Sequence, residues 1–298
     1  MDKKRTFLKN LNLALFFCVI LAISSSAGAA DVLVIGDIKL KPVAEVVSSL
    51  KRSASFSIIV KSPGEVRDNL AGVVTREGAK AVVALGTDAV YISLSLPESV
   101  PVIYGLVINP PETKRKNITG IYMATPVEKY LAVIEKYFPR IEKVGLIYER
   151  AGQRPVSAAP LSSHLEVQYA GNPYEFLESI KRLDKSIDAL LLVPEKNLIT
   201  SSSLQRAYIF SFTEKVPLIG ISEKHVKEGS LMSVVFDIDD MGRQLGDLIH
   251  RVMMHGTAMG SPQFPPEKYK VYFNKQTAES MGIRVEPELL KVAERVYP

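Results

Sequence analysis

The chain has 298 residues, 37 basic against 32 acidic, a formal net charge of +5, no tryptophan and a single cysteine. One thiol excludes a disulfide framework within the chain. Residues 1–30 hold four of the basic side chains and one acidic one, so the rest carries +2 and shows no Lys/Arg block interleaved with aromatics; nucleic-acid binding is not indicated.

Lys3, Lys4, Arg5 and Lys9 precede an apolar stretch from Leu11 to Ile23 and small residues from Ser24 to Ala30. That is the layout of a secretory signal, with Ala27-Gly28-Ala29 or Gly28-Ala29-Ala30 as the cleavage site. A spanning helix needs roughly 20 apolar residues, and Lys9, Asn10 and Asn12 cut this one short. Cys18 lies inside the stretch and leaves with it. The expectation is an exported, periplasmic protein of roughly 270 residues, one large or two ordinary domains.

Val32 to Ile35 predicts a strand, and Val43, Val46, Val47 and Leu50 a short helix. Phe56 to Val60 is the next strand, closed by Ser62-Pro63-Gly64. Val66, Leu70, Val73 and Val74 mark a helical face ending near Gly78; Ala81 to Leu85 is a third strand, and Gly86-Thr87-Asp88 opens a helix through Ile92. Val102 to Val107 is a fourth strand, running into Asn109-Pro110-Pro111. Strands alternating with helices of this length predict a parallel, doubly wound α/β sheet.

The stretch from Asn117 to Arg150 reads as the passage into a second half of the same kind. Thr125, Pro126 and Glu128 predict an N-cap, a first-turn proline and a capping-box carboxylate. Val127, Tyr130, Leu131, Ile134, Tyr137 and Phe138 recur at helical spacing, Pro139 stops them, and Val144 to Tyr148 is an apolar strand. Asn172, Pro173 and Glu175 start a helix through Leu183; Ala189 to Val193 is a strand; Thr200 to Ser203 cap the helix of Leu204, Ala207, Tyr208 and Phe212.

Pro217 to Ile221 and Leu231 to Phe236 are further strands, with a short helix including His225 between them. Met241, Leu245, Leu248, Ile249, Val252 and Met253 then form the most regular helical stripe, in which Gly242 and Gly246 predict close packing against another element. A proline-rich connector over 261–268 leads to a strand from Lys270 to Phe273, a short helix from Gln276 to Met281, and a last amphipathic piece from Pro287 to Val296.

His164, His225, His250 and His255 lack the spacing of a metal pair, and no G-x-S-x-G elbow, phosphate loop or H-E-x-x-H occurs. No enzyme, cofactor or metal centre is therefore expected. Open parallel sheets bind ligands beyond the carboxyl ends of their strands, which here carry Asp37, Lys39, Ser62, Thr87, Asp88 and Asn109 in the first half. In the second they carry Tyr148 to Arg150, Gly171, Asn172, Glu195, Ser222, Glu223 and Asp237. Hydroxyls and amides at helix starts suit a small carboxylate, and carboxylates facing them an ammonium group. Each residue alone is an ordinary cap; convergence on one cleft is the argument for Thr87, Asp88 and Asn109 from one side and Tyr148, Glu195 and Asp237 from the other.

Gly86-Thr87-Asp88-Ala89, Pro101-Val102-Ile103 leading to Asn109-Pro110, and Asn117-Ile118-Thr119-Gly120 occur in one order with Gly229 to Gly246. The tail adds Asn274, Thr277, Ala278, Gly282, Pro287, Leu289, Leu290 and Ala293. Together these resemble the ABC-transporter solute-binding proteins of the tryptophan/tyrosine-type group, with the type I periplasmic-binding-protein fold. The resemblance implies two Rossmann-like lobes joined by a hinge of three crossings: 31–119 with 239–262 as the N-lobe, and 120–238 with 263–298 as the C-lobe, after a signal peptide over 1–30. It implies a monomeric, non-enzymatic binding protein that closes on a small solute, an amino acid or related carboxylate, and delivers it to an inner-membrane ABC permease. A ligand-sensing subunit for a membrane receptor or kinase is the alternative. Asn109-Pro110 and Glu195-Lys196 stand where the family usually has Asp-Pro and Asp, so an aromatic amino-acid ligand is not inherited.

Overall fold

The computed structural model describes residues 30–111, 113–150, 164–255 and 263–298; the signal peptide expected over 1–30 lies, apart from Ala30, outside them. The first half contains β1 (Val32–Ile35), α1 (Lys41–Ser53), β2 (Ile58–Lys61), α2 (Pro63–Val66), α3 (Leu70–Glu77), β3 (Ala81–Leu85), α4 (Thr87–Ser93), β4 (Val102–Val107) and β5 (Ile118–Tyr122). After it come α5 (Val127–Tyr137), β6 (Val144–Glu149), β7 (Leu165–Ala170), α6 (Pro173–Leu183), β8 (Ala189–Leu191), α7 (Ser201–Glu214), β9 (Leu218–Gly220), α8 (Glu223–Lys227) and β10 (Met232–Phe236). The chain closes with α9 (Ile238–His255), β11 (Gln263–Phe264), β12 (Tyr269–Asn274), α10 (Lys275–Met281), α11 (Leu289–Val292) and β13 (Arg295–Tyr297).

Two sheets result, ordered β11-β5-β4-β3-β1-β2 and β13-β12-β10-β9-β8-β6-β7. All pairings are parallel except β10 with β12. Each sheet is covered on both faces, which is why its central strands read as unbroken apolar runs. Val32, Val34, Val83 and Ile103 pack with α1 and α9, while Leu33, Ile35, Val82 and Ala84 pack with α2 to α4 on the other face. In the second sheet Leu146, Leu191, Ile219 and Val234 face α5, and Ile147, Leu190 and Leu218 face α6 and α7. Full burial of one such Val, Leu or Ile is worth about 1.5–3 kcal/mol, so these four layers hold the fold.

The long helix α9 packs against α1 of the first sheet. A Cβ at Gly242 would lie 2.4 Å from the Ser49 Cβ, so this glycine is required by the close approach; Ser49 also donates its hydroxyl to the Asp239 carbonyl at 2.8 Å. Gly246 is looser, at 3.4 Å from Ser53 Oγ.

Several boundaries differ from the sequence reading. β5 pairs with β4 as far as Tyr122, and β11 pairs with β5, so the first sheet extends past Gly120 and takes in Gln263–Phe264. Helix α5 begins one residue later than the Thr125 cap implied: its N-cap position is Pro126, with no side-chain cap, because Thr125 Oγ1 donates to the Val234 carbonyl at 2.8 Å across the crossing. β7, which the sequence reading passes over, carries in LEVQYA the alternating apolar and polar residues of a half-exposed edge strand. The final amphipathic piece divides into α11 and β13, the latter parallel to β12. Asn172 and Thr200 do cap α6 and α7 as read from the sequence, each accepting backbone N–H bonds.

Candidate functional site

Two hollows lie at the carboxyl ends of the strands. The first, of about 750 Å³, is bounded by the turns after β1, β2 and β3, with Asp37, Lys39, Ser62, Thr87 and Asp88 on its rim. Gly86, at φ 93°, makes the turn that lets α4 start directly under the end of β3. Neither α1 nor α4 has a side chain capping its first turn, so backbone N–H groups at both starts remain available to an anion. Ser62 is less available: its hydroxyl donates to Glu65 at 2.7 Å in a capping box.

The second hollow, of about 270 Å³, lies where the carboxyl ends of both sheets meet the crossings. Ile108 and Met123 come from the ends of β4 and β5; Val193, Pro194, Ile221 and Phe236 from the ends of β8, β9 and β10; Val127 and Tyr130 from α5. A bulge in β4 between Tyr104 and Val107, with Leu106 at φ 57°, turns both Gly105 and Leu106 toward Leu245 of α9 before the strand reaches Ile108. The polar groups of this hollow are Thr125, Tyr130, Ser222 and His225. Thr125 is committed to Val234, and the buried Tyr130 hydroxyl meets Thr125, its pKa raised by that burial.

His225 is differently placed. It packs over Gly220, where a Cβ would stand 2.5 Å from the His225 Cβ, and its Nδ1 accepts the Ile221 N–H at 3.3 Å. Burial lowers its pKa below the ordinary imidazole value, and among its neighbours Glu228 raises it while Lys224 lowers it. The ring is therefore neutral, with its proton on Nε2.

Of the six residues singled out from the sequence, Thr87 and Asp88 share the first hollow. Asp88 is held by Arg67 at 2.6 Å, an exposed pair. Asn109 is exposed just past β4 and lines neither hollow. Tyr148 and Glu195 are both buried on the second lobe and line neither hollow; the backbone N–H of Glu149, the residue after Tyr148, reaches the Glu195 carboxylate. Burial raises the pKa of Glu195, the Glu149 N–H opposes the rise and the Glu149 charge adds to it. Glu149 in turn accepts from Asn197 Nδ2 at 2.7 Å. No cation of the described residues pairs with Glu195.

Asp237 is occupied by the fold. Its Oδ1 accepts the N–H groups of Asp239 and Asp240 at 3.0 and 3.2 Å, and its Oδ2 lies 3.3 Å from Lys270 Nζ. Burial disfavours its charge, yet those amides and the ammonium outweigh burial and leave its pKa lowered. It caps α9 at the crossing instead of pointing a free carboxylate into either hollow. The hinge residues Thr125, Tyr130 and His225 do not stand out as binding groups in the sequence; Ser222, a hydroxyl two residues past the glycine that ends β9, is the one visible signal.

Among the described residues no group of three or more His, Cys, Asp or Glu side chains is placed to hold a metal ion, and no helix is long and apolar enough to cross a membrane.

A family model described as ABC transporter substrate binding protein matches residues 60–297. A tyrosine-binding protein of Clostridioides difficile (strain R20291) is 22% identical over 227 residues, 68% of this chain and 63% of that protein. The match thus spans less than two thirds of that relative's length. Among solved structures, the ligand-free, open form of a substrate-binding protein with adhesive properties from Clostridium difficile gives a TM-score of 0.66 at 13% identity, over 90% of this chain and 99% of that one. An ABC domain in complex with L-Trp from Streptococcus pneumonia gives 0.54 at 18% identity, over 89% and 99%. Both share the two-sheet α/β fold.

Proposed function

The chain belongs to the ABC transporter substrate binding protein family, and from that premise we propose that it is the extracytoplasmic solute-binding component of an ABC importer. It captures a small solute, an amino acid or related carboxylate, between its lobes and hands it to an inner-membrane permease. The observation that carries this reading is the hollow walled by Ile108 and Met123 of the first lobe together with Val193, Pro194, Ile221 and Phe236 of the second. A guest there touches both lobes, so its binding free energy depends on their angle, which is the requirement for ligand-driven closure.

Thr87 and the open amides of α1 and α4 offer donors to a carboxylate; Tyr148 and Glu195 offer an acceptor surface to an ammonium group. Asp88 and Asn109 stand at the rim, and Asp237 supports the hinge. The relative's name, tyrosine-binding, and the L-Trp in one structural neighbour agree with an amino acid as the guest. The segment over 1–30 supports export to the periplasm.

A thermal-shift screen of the protein lacking residues 1–30 against the proteinogenic amino acids and small organic acids tests the proposal. At a concentration one hundred times Kd, about 2.7 kcal/mol of stabilisation is expected. Thr87→Ala combined with Glu195→Gln should remove that shift without lowering the unliganded midpoint. A panel in which no small solute moves the midpoint sinks the reading.

A further inference from the structure

Three of the four polar groups in the hinge hollow have settled partners or roles, and the fourth does not. Thr125 donates to Val234 and Tyr130 meets Thr125. Ser222 Oγ accepts the His225 N–H at 3.4 Å as the N-cap of α8. His225 has its Nδ1 occupied by the Ile221 N–H, and no hydrogen bond reaches its Nε2 from the described residues. The other walls, Ile108, Met123, Val127, Val193, Pro194, Ile221 and Phe236, are apolar, and no Asp, Glu, Lys or Arg lines the space.

We propose that this hollow is a ring-binding subsite in which the Nε2–H of His225 donates to a single acceptor on an uncharged, flat group of the ligand. The proposal rests on solute capture between the lobes and adds which part of the solute enters and which atom reads it. At about 270 Å³ the space falls just below the roughly 300–1,000 Å³ of whole drug-sized ligand pockets; it takes one ring, and the remainder of the ligand extends toward the polar cleft. Charged side chains are excluded because nothing in the hollow compensates their desolvation.

The orientation of the donor is fixed from behind. The Ile221 N–H fixes the tautomer, and the absence of a side chain at Gly220 leaves the room that the His225 Cβ occupies. The Tyr208 hydroxyl, donating to the His225 carbonyl at 3.0 Å, ties α8 to α7. His225 is thus pre-organised before any ligand arrives, and a ring without an acceptor leaves a desolvated donor unsatisfied.

Calorimetry with two probe pairs tests this: L-tyrosine against L-phenylalanine, and 4-hydroxyphenylacetate against phenylacetate, each pair differing in one hydroxyl. The hydroxylated member should bind roughly three- to tenfold tighter in at least one pair, the scale of one hydrogen bond. His225→Phe should abolish the difference, and His225→Gln, which keeps both an acceptor and a donor, should retain part of it. Equal affinities within both pairs in the unmodified protein, or a preference that survives His225→Phe, overturn the subsite. So does silence of all four probes. L-glutamate or another ringless solute binding equally to the protein and to His225→Phe would leave solute capture standing while removing this inference. Circular dichroism of each variant separates loss of recognition from loss of fold.

Discussion

On the first lobe, the turns after β1, β2 and β3 place Asp37, Lys39, Thr87 and Asp88 around an open hollow of about 750 Å³. At the hinge, the turns after β8, β9 and β10 place Val193, Pro194, Ile221 and Phe236 around about 270 Å³. Both are strand-to-helix turns at the carboxyl ends of parallel strands. They differ in what lies at those ends: on the first lobe α1 and α4 start without side-chain caps while α2 carries the Ser62–Glu65 capping box, whereas at the hinge Ile108 and Met123 from the ends of β4 and β5 wall the turns. The first surface is therefore polar and charged, and the second mostly apolar with no charged side chain in its lining.

The strongest way to break this comparison is steric. Gly220→Ala puts a Cβ 2.5 Å from that of His225, and overpacking of this kind costs about 1–3 kcal/mol. Urea unfolding should show that loss, and ring-probe affinity should fall with it; an unchanged midpoint would mean that the His225 Cβ does not occupy the room at Gly220. Gly86→Ala is the counterpart on the first lobe. Its φ of 93° disfavours any side chain although nothing crowds the space within 4 Å, so a loss of about 1–2 kcal/mol is expected, with ring discrimination intact. If Gly86→Ala instead erased that discrimination, the two surfaces would not be separable.

Glu195 sharpens the comparison through pH. Its folded-state pKa is raised above the ordinary carboxyl value, chiefly by burial, so the folded state holds its proton to higher pH than the unfolded state does. Its contribution is fully present below the unfolded pKa and is lost as pH rises through the folded one. Glu195→Gln should therefore raise the unliganded midpoint at neutral pH, with the gain vanishing in acid below the ordinary carboxyl pKa. A gain that persists in acid would assign the effect to something other than ionisation. The smallest effect is expected of Arg67→Ala: both partners of the Arg67–Asp88 pair are more than half exposed, and such pairs are worth about 0–1 kcal/mol. It frees Asp88 at the rim, which should weaken binding of a carboxylate slightly without altering stability.

The central strands and the long helices were legible because double-sided burial writes an unbroken apolar run and one-sided burial writes a helical stripe. Thr87 and Asp88 were legible for a similar reason, as they come directly after Gly86 at a strand end. Thr125 and Asp237 show the limit. Each was read as a local cap or a free binding group, yet Thr125 bonds to Val234 and Asp237 divides its carboxylate between its own helix and Lys270. Val234 and Lys270 lie far along the chain from the residues they bind, and nothing local encodes those two choices.

By itself the sequence determined two alternating α/β halves and a long helix whose glycines call for close packing against another element. Only the tertiary structure decided that His225, Tyr130 and Met123 share one hollow and that Asp237 belongs to the hinge. Periodicity records how much of a side chain is buried, because burial repeats with the turn of a helix or the pleat of a strand. Which polar atom meets which is settled between segments as far apart as Thr125 and Val234, where no repeat connects them and the unsatisfied partner is known only once the chain has folded.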